Sequence, residues 1–253
     1  MGKQGGLGQR LYVGGYDISG DITEHSLGTP MATLNNTGID KSAMERIFGR
    51  RDGLLDTTAW FNPENVSTVQ EHAVYSTLPT TDVPCMAVLA PPAIGTDVFC
   101  LAGKQVNYDP KRASDGTFTF GVSMQANQYG GEHGKLLTVG KRTDGAATNG
   151  TALDQTTVST AFGWQAYLQV FAFAGTDVTV KLQDSADNVT FADLTGAAFA
   201  AITTTTPGAQ RLQSASATAT VRRYVRASTT TSAGFTNLVF AVAFMRNLQA
   251  NAF

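Results

Sequence analysis

Charged residues are scarce in this 253-residue sequence. Asp, Glu, Lys and Arg make up 15% of the chain, against roughly a quarter in a typical soluble domain. The formal net charge is -2 and the isoelectric point about 5.9, so the chain has no overall basic field of the kind that attracts nucleic acid. The hydrophobic fraction of 42% is still enough for a buried core. Small and hydroxyl-bearing residues replace the missing charges, which suits a chain that buries its surface against copies of itself.

Long apolar runs are absent as well. No stretch of about 18 apolar residues occurs, so the sequence predicts no membrane-spanning helix. The first residues, Met1–Leu7, lack the apolar stretch of a secretory signal. We therefore expect the protein to be made and folded in a cytoplasm.

Cysteine is limited to two residues, Cys85 and Cys100, and each lies in an apolar, strand-like run. This setting favours reduced, buried thiols. A disulfide between adjacent strands is also geometrically possible, so the sequence leaves the redox state open. The two residues lack the CxxC spacing and the nearby histidine of a zinc site.

Catalytic motifs are missing. The three histidines, His25, His72 and His133, are not accompanied by GxSxG, HExxH or paired-cysteine motifs. The glycine-rich start, Gly5–Gly8, lacks the Lys-Ser/Thr of a phosphate loop. We predict no catalytic residues, no cofactor and no metal site, and the chain is not expected to be an enzyme.

Strand patterns dominate what is present. Leu11 and Val13 alternate with Tyr12, and the pattern breaks at Gly14-Gly15, where a bulge or the close approach of another backbone is expected. Further strands in the first part are predicted at Val83–Leu89, Val98–Tyr108, Phe118–Ala126 and Lys135–Lys141. Further strands in the last part are predicted at Gly163–Phe173, Asp177–Asp184, Thr190–Leu194, Gln210–Ala217, Tyr224–Ser228 and Phe235–Phe244.

Two short helices are predicted among these strands. Asp40 is a candidate N-cap for a helix over Lys41–Phe48, in which Met44, Ile47 and Phe48 would share one stripe. A second helix is predicted over Thr68–Leu78, ending before Pro79. The fold class expected is mainly β, with one or two short helices.

The chain is predicted to form two domains. Residues 143–157 are small, polar and without periodicity, which is typical of a linker. We place a first, assembly domain at 1–148, a linker at 149–156 and a second domain at 157–253. Six or more short strands in the last part predict an antiparallel β-sandwich.

One acidic stretch, Val180–Leu194, reads VKLQDSADNVTFADL and has the oxygen donors of a cation loop. It lacks the glycine and the final glutamate of a calcium loop, and Asp, Ser and Asn are the usual residues of a hairpin turn. A plain turn is favoured over a metal site. A weaker hypothesis makes Ser185, Asp187 and Arg226 a surface ligand turn, whereas the simpler interpretation pairs nearby arginines with acidic turn residues.

The stretch Leu11–Ile22, LYVGGYDISGDI, resembles the opening of the major tail tube proteins of long-tailed, siphovirus-type bacteriophages. The resemblance implies a tail-tube-like β-sandwich or barrel with a long loop. It implies a virion structural protein, made in the host cytoplasm, that self-assembles into stacked hexameric rings. Its partners would be copies of itself and other phage tail proteins, and DNA would pass through the tube during ejection without specific binding.

By the same resemblance, His25–Asp56 is the loop that contacts the adjoining ring. The inter-ring contact would then be made by Met31, Met44, Ile47 and Phe48.

The last part resembles small sandwich domains appended to phage virion proteins. The phrase with Ser185, Asp187 and Phe191 is also similar to a turn of discoidin-like carbohydrate-binding modules. The first resemblance implies an outward-facing decoration domain. The second keeps open a glycan-binding adhesin, and a minor tail or decoration protein of the virion is a further alternative.

Overall fold

The protein is mainly β, as the sequence predicts. A computed structural model describes residues 5–62, 71–205 and 207–249. In this part of the chain the strands are antiparallel, and a single short helix is present, α1 (Glu71–Tyr75). The strands of the first half are β1 (Arg10–Val13), β2 (Tyr16–Asp17), β3 (Ile22–Gly28), β4 (Met31–Asn35), β5 (Arg46–Arg51), β6 (Leu54–Trp60), β7 (Val83–Val88), β8 (Asp97–Gln105), β9 (Asp109–Arg112), β10 (Phe118–Ala126), β11 (Glu132–Leu136) and β12 (Arg142–Asp144). Those of the second half are β13 (Leu153–Thr160), β14 (Trp164–Gly175), β15 (Thr179–Ser185), β16 (Ala192–Ala198), β17 (Gly208–Gln213), β18 (Val221–Thr230) and β19 (Phe235–Arg246).

Three sheets organise these strands. The largest has 13 strands, with the main order β17-β14-β19-β11-β8-β10-β6-β3 and side branches through β1, β2, β7, β9 and β12. A four-stranded sheet has the order β13-β18-β15-β16, and β4 pairs with β5 in a sheet of two. Alternating apolar residues produce this layout, because period-two patterning gives each strand one face to bury.

Three apolar clusters fill the space between the layers. One lies between the four-stranded sheet and the β14–β19 end of the large sheet, and contains Trp164, Val180 and Val225. A second lies inside the β1–β10 part and includes Tyr75 of α1. The third is built from the opposite faces of β1, β7 and β8 together with β14 and β19.

The large sheet runs across the boundary predicted between two domains. Lys135 and Leu136 of β11 pair with Phe244 and Ala243 of β19, and β12 also pairs with β19. The third cluster joins the same two parts, since it packs Met86 of β7 against Tyr167 of β14. The division into 1–148 and 157–253 stays a prediction, and the two parts have a sheet and a core in common. β13 begins at residue 153, inside the stretch 149–156 predicted to be a linker.

The helix predicted over Lys41–Phe48 is wrong. Residues 46–51 form strand β5, which pairs with β4 through Leu34↔Ile47 and Thr33↔Phe48. An eight-residue apolar pattern is too short to separate a helix from a strand, and a distant partner decided the outcome. The second helix is confirmed at Glu71–Tyr75, while residues 68–70 lie outside the described part.

The double glycine marks a close backbone approach, as predicted. Gly15 has φ +90°, and a Cβ atom there would lie 2.2 Å from the backbone nitrogen of Gly208. Its N–H donates to Oε1 of Gln169 at 2.7 Å, and Nε2 of Gln169 donates to the carbonyl of Pro84 at 2.9 Å. The glycine therefore lets β14 and β17 pack directly on the turn after β1.

Both cysteines are free and buried. Met86 lies opposite Cys100 in the pairing of β7 with β8, so Cys85 points to the other face of the sheet. Accordingly Cys85 belongs to the second cluster and Cys100 to the third. This arrangement excludes the disulfide between adjacent strands that the sequence had left open.

Candidate subunit interface

The β4–β5 hairpin (residues 31–51) stands apart from the main sheets. Its hydrogen bonds join one side of the hairpin to the other. The N–H of Asn36 donates to the carbonyl of Glu45 at 3.1 Å, and the N–H of Glu45 donates to Oγ1 of Thr37 at 2.8 Å. At the base, the N–H of Asp52 donates to the carbonyl of Pro30. The hairpin is therefore closed on itself and attached to the body at one end.

The hairpin exposes apolar side chains to an unusual degree. Phe48 is 79% exposed and Met44 65%. Six of the fifteen large hydrophobic residues exposed in the described part lie in this segment, namely Met31, Leu34, Ile39, Met44, Ile47 and Phe48. Scattered single apolar residues are normal on a protein surface, whereas a concentration in one projecting element marks a contact site.

The apolar side chains lie on both faces of the hairpin. Leu34 and Ile47 are paired, so they point to one face, while Phe48 and its partner Thr33 point to the other. With both faces exposed, the hairpin has no core of its own. A two-stranded hairpin of this kind is marginally stable in water, so a partner on either face would stabilise it.

The four residues predicted to contact an adjoining ring are all in this hairpin, although the predicted helical stripe is wrong. Ile47 and Phe48 lie in β5, and Met31 lies at the base opposite Arg51. Met44 lies in the segment before β5, where Nη2 of Arg46 donates to its Sδ at 3.0 Å.

A cleft of about 650 Å³ opens at the base of the hairpin. One wall is the hairpin base, with Met31, Arg50 and Arg51. The segment 128–133, which leads into β11, lies against the hairpin base, because the N–H of Gly131 donates to the carbonyl of Asp52 at 3.2 Å. Arg211 of β17 and Met245 at the end of β19 complete the lining. No sequence pattern points to this cleft, because the hairpin base and the segment 128–133 are more than 75 residues apart along the chain.

Arg211 fixes one wall of the cleft. Its guanidinium donates to both carboxylate oxygens of Glu132, to the hydroxyl of Tyr167 at 3.0 Å and to Oε1 of Gln213 at 3.0 Å. The ring of Tyr129 stacks on the guanidinium, with 3.5 Å between the ring centre and Cζ. Burial and the nearby Glu132 carboxylate raise the pKa of Tyr167 well above its usual value, which keeps the hydroxyl neutral. This network ties the segment 128–132 to the second part of the chain.

The acidic stretch VKLQDSADNVTFADL forms a turn between β15 and β16. Oδ1 of Asp187 accepts the N–H groups of Thr190 at 2.8 Å and Val189 at 2.9 Å, and the hydroxyl of Ser185 at 2.7 Å. These bonds lower the pKa of Asp187 to about 2. Ser185 is buried and its Oγ also accepts the N–H of Asn188. Ser185 and Asp187, two of the three residues of the predicted ligand turn, therefore use their oxygens for hydrogen bonds within the turn.

Arg226, the third residue of that predicted site, lies on the neighbouring strand. Its Nε and Nη2 donate to Oε1 of Gln183 at 2.9 and 2.8 Å. Its guanidinium covers one face of the Phe191 ring at 3.9 Å. The acidic pairing expected for the basic cluster is made by Arg222, whose Nε lies 3.9 Å from Oδ1 of Asp184 and whose backbone N–H donates to Oδ2 of Asp184 at 2.9 Å.

Metal ligands do not converge. Among the described residues, no group of three or more His, Cys, Asp or Glu side chains is placed to hold a metal ion. In the same part of the chain, no helix has the length and apolar character needed to span a membrane.

No family model matches this chain. No curated protein matches its sequence either. Among solved structures, a chain of the virion of the native gene transfer agent (GTA) particle is 10% identical with a TM-score of 0.39, over 50% of this chain and 96% of that chain. A chain of the tail of the empty GTA particle, refined with C6 symmetry, is 11% identical with a TM-score of 0.38, again over 50% and 96%.

A third similar structure is the SPP1 Dit protein, from the hub adsorption apparatus of phages that infect Gram-positive bacteria. It is 13% identical with a TM-score of 0.32, over 94% of this chain and 99% of that chain. At such identities and TM-scores the three structures do not assign this chain to a family.

Proposed function

We propose that this chain is a structural protein of a phage tail, a tube subunit that assembles into rings which stack through the β4–β5 hairpin. The observation that carries the proposal is the hairpin itself, which projects from the body with Ile47 and Phe48 exposed on opposite faces. Assembly, and not turnover of a substrate, is the activity proposed.

Burial of the hairpin supplies the driving force for stacking. Covering an exposed Ile or Phe side chain is worth roughly 1.5–3 kcal/mol. The hairpin carries six large apolar side chains, so a neighbour that covers several of them gains enough to offset part of the cost of association.

Ring formation would use the free edge of the large sheet. β3 is the last strand in the main order of that sheet. Among the described residues it pairs with β6 on one side, so its other side is a sheet edge. The backbone groups on its other side are a template for a strand of a second copy. We propose that rings close by such edge-to-edge extension and that residues 157–253 face outward.

The proposal includes passive passage of DNA. The net charge of -2 gives the chain no overall attraction for the phosphate backbone, whose neutralisation by Lys and Arg dominates nucleic-acid binding. A conduit requires the absence of tight binding along its length.

The test is assembly of the purified protein across a concentration series, followed by negative-stain electron microscopy and sedimentation. We expect rings or hollow tubes from the unmodified chain. Phe48→Asp should reduce the amount of sedimented protein at least tenfold, because the new carboxylate would lose its water at the contact between rings. The melting temperature should stay unchanged, since Phe48 is exposed in the single subunit.

Val158→Asp is the matched control. Val158 is 77% exposed in β13, at a distance along the chain from the hairpin, and its substitution should leave assembly intact. A chain that stays monomeric at every concentration would refute the tube proposal. Normal tubes formed by Phe48→Asp would refute the stacking role of the hairpin but would leave the tube proposal standing.

A further inference from the structure

We infer that the cleft at the hairpin base is the receptor for the hairpin tip (residues 36–45) of a second copy of this chain. The inference rests on the proposed function, and it assigns the surface on which the stacking hairpin would dock. Three properties of the protein identify the partner segment: the reach of the tip, the side chains in the cleft, and the charges of the two surfaces.

The tip cannot reach the cleft of its own chain. A strand rises about 3.3 Å per residue, so seven extended residues carry the tip roughly 20 Å from the base where the cleft lies. Ile39 at the tip is fully exposed, and Asp40 beside it is exposed as well. The other tip charges neutralise each other, since Lys41 pairs with Glu45 at 3.5 Å.

The cleft has room for a short segment of chain. Its volume of about 650 Å³ lies within the range of roughly 300–1,000 Å³ that is typical of ligand sites. Gly130 and Gly131 are part of its lining, and they let the segment pack closely on the hairpin base, since a Cβ on Gly130 would lie 3.2 Å from Cβ of Arg51. Met31 and Met245 supply adaptable apolar contacts for a side chain such as Ile39.

The charge of the cleft complements that of the tip. Three arginines and two carboxylates line it. Arg211 is paired with Glu132, and Asp52 accepts the N–H of Gly53 at 2.7 Å. Arg50 is exposed and has no ion-pair or hydrogen-bond partner among the described residues. It is therefore the cation available to the Asp40 carboxylate of an incoming tip.

A tip-to-cleft contact joins two different surfaces of the same protein. Such a head-to-tail contact generates a closed ring where the rotation between copies closes, and an open filament where it does not. A contact directed along the tube axis would be of the second kind. This is the symmetry that stacked rings require. The geometry thus explains why a subunit would carry both a projecting hairpin and a cleft at its base.

Cross-linking between differently tagged copies tests the inference. One copy carries Ser42→Cys at the exposed tip, which leaves Asp40 in place, and the other carries Gln128→Cys on the exposed rim of the cleft. The native Cys85 and Cys100 are buried, and burial raises the pKa of both thiols, so they react little with maleimides. A short bis-maleimide should join the two tagged copies into a dimer band when the mixture is assembled.

Matched variants separate this inference from the proposed function. Ser42→Cys mixed with Val158→Cys should give no band, since Val158 is exposed but is not among the residues that line the cleft. Arg50→Glu and Asp40→Arg should each reduce sedimented tubes by tenfold or more, and their combination in one chain should restore them. Arg112→Glu, an exposed arginine of β9, is the control for charge and should assemble normally.

Two results would overturn the tip-to-cleft contact while leaving the tube proposal intact. One is tubes that form without a cross-link between tip and rim. The other is unchanged assembly by Arg50→Glu. A chain that forms neither rings nor tubes refutes the proposed function, and the contact with it.

Discussion

At the scale of single residues, the carboxylates of this weakly charged chain hold turns in place. Asp177 accepts the N–H groups of Ser232 at 3.0 Å and Ala233 at 2.7 Å, and Asp187 does the same for its own turn. Backbone N–H donors favour the ionised carboxylate, which lowers the pKa of both side chains. Turn chemistry therefore explains the centre of the cation-loop pattern, since the side-chain oxygens of Ser185 and Asp187 are bonded within the turn.

A pH titration checks this role of Asp187. Its pKa of about 2 in the folded chain lies below the value near 3.9 of an unfolded Asp. The stability it contributes is thus fully present above about pH 4 and is lost as the pH falls through about 2. NMR titration of the carboxyl carbon should give this low pKa. The Asp187→Asn variant should have a lower free energy of unfolding than the unmodified chain at pH 7, and the two free energies should become equal near pH 2. A titration midpoint near 4 would contradict the turn geometry.

At the scale of elements, two ion pairs differ in what they connect. Arg211 joins β17 to β11 and is 7% exposed, whereas Arg223 pairs with Asp154 between β18 and β13 and is 37% exposed. The first pair is closed off from water and also bonds Tyr167, while the second is screened by solvent. The buried pair thus fixes the 128–132 segment against β17.

Paired substitutions measure this difference. Arg211→Ala leaves the buried Glu132 carboxylate without a partner and should cost about 3–5 kcal/mol of unfolding free energy. Arg223→Ala, at the exposed pair, should leave the urea midpoint within experimental error. Equal shifts in the two midpoints would contradict a structural role for the Arg211 network.

At the scale of the whole molecule, the two predicted parts depend on each other. The third cluster includes Met86, Val88 and Leu136 on one side and Tyr167 and Ala243 on the other, all buried. Separation would expose several side chains worth roughly 1.5–3 kcal/mol each. Their sum is comparable with the total stability of a domain, about 5–15 kcal/mol.

Splitting the chain in the exposed turn near residue 146 tests this dependence. Residues 1–146 expressed alone should aggregate or fail to melt cooperatively, because β11 and β12 would lose β19. The same fragment co-expressed with residues 147–253 should purify as a folded complex. A soluble 1–146 fragment with a sharp melting transition would instead establish an independent first domain.

The sequence by itself determined the class of fold and most strand positions. β7, β8, β10, β14, β15, β18 and β19 lie where alternating apolar residues predict them, because that signal is local. The close approach at Gly15 was predictable for the same reason, since a double glycine within a strand pattern has few other uses.

The tertiary structure alone decided the candidate interface, which consists of the β4–β5 hairpin and the cleft at its base. Strand β5 replaced a predicted helix because its partner β4 lies more than ten residues away, where periodicity carries no information. The cleft depends on Arg211 meeting Glu132 across 79 residues, and the Gly15 contact reaches Gln169 across 154. Local patterns fix which face of a strand is buried, whereas the partner of each face is set by packing of the whole chain.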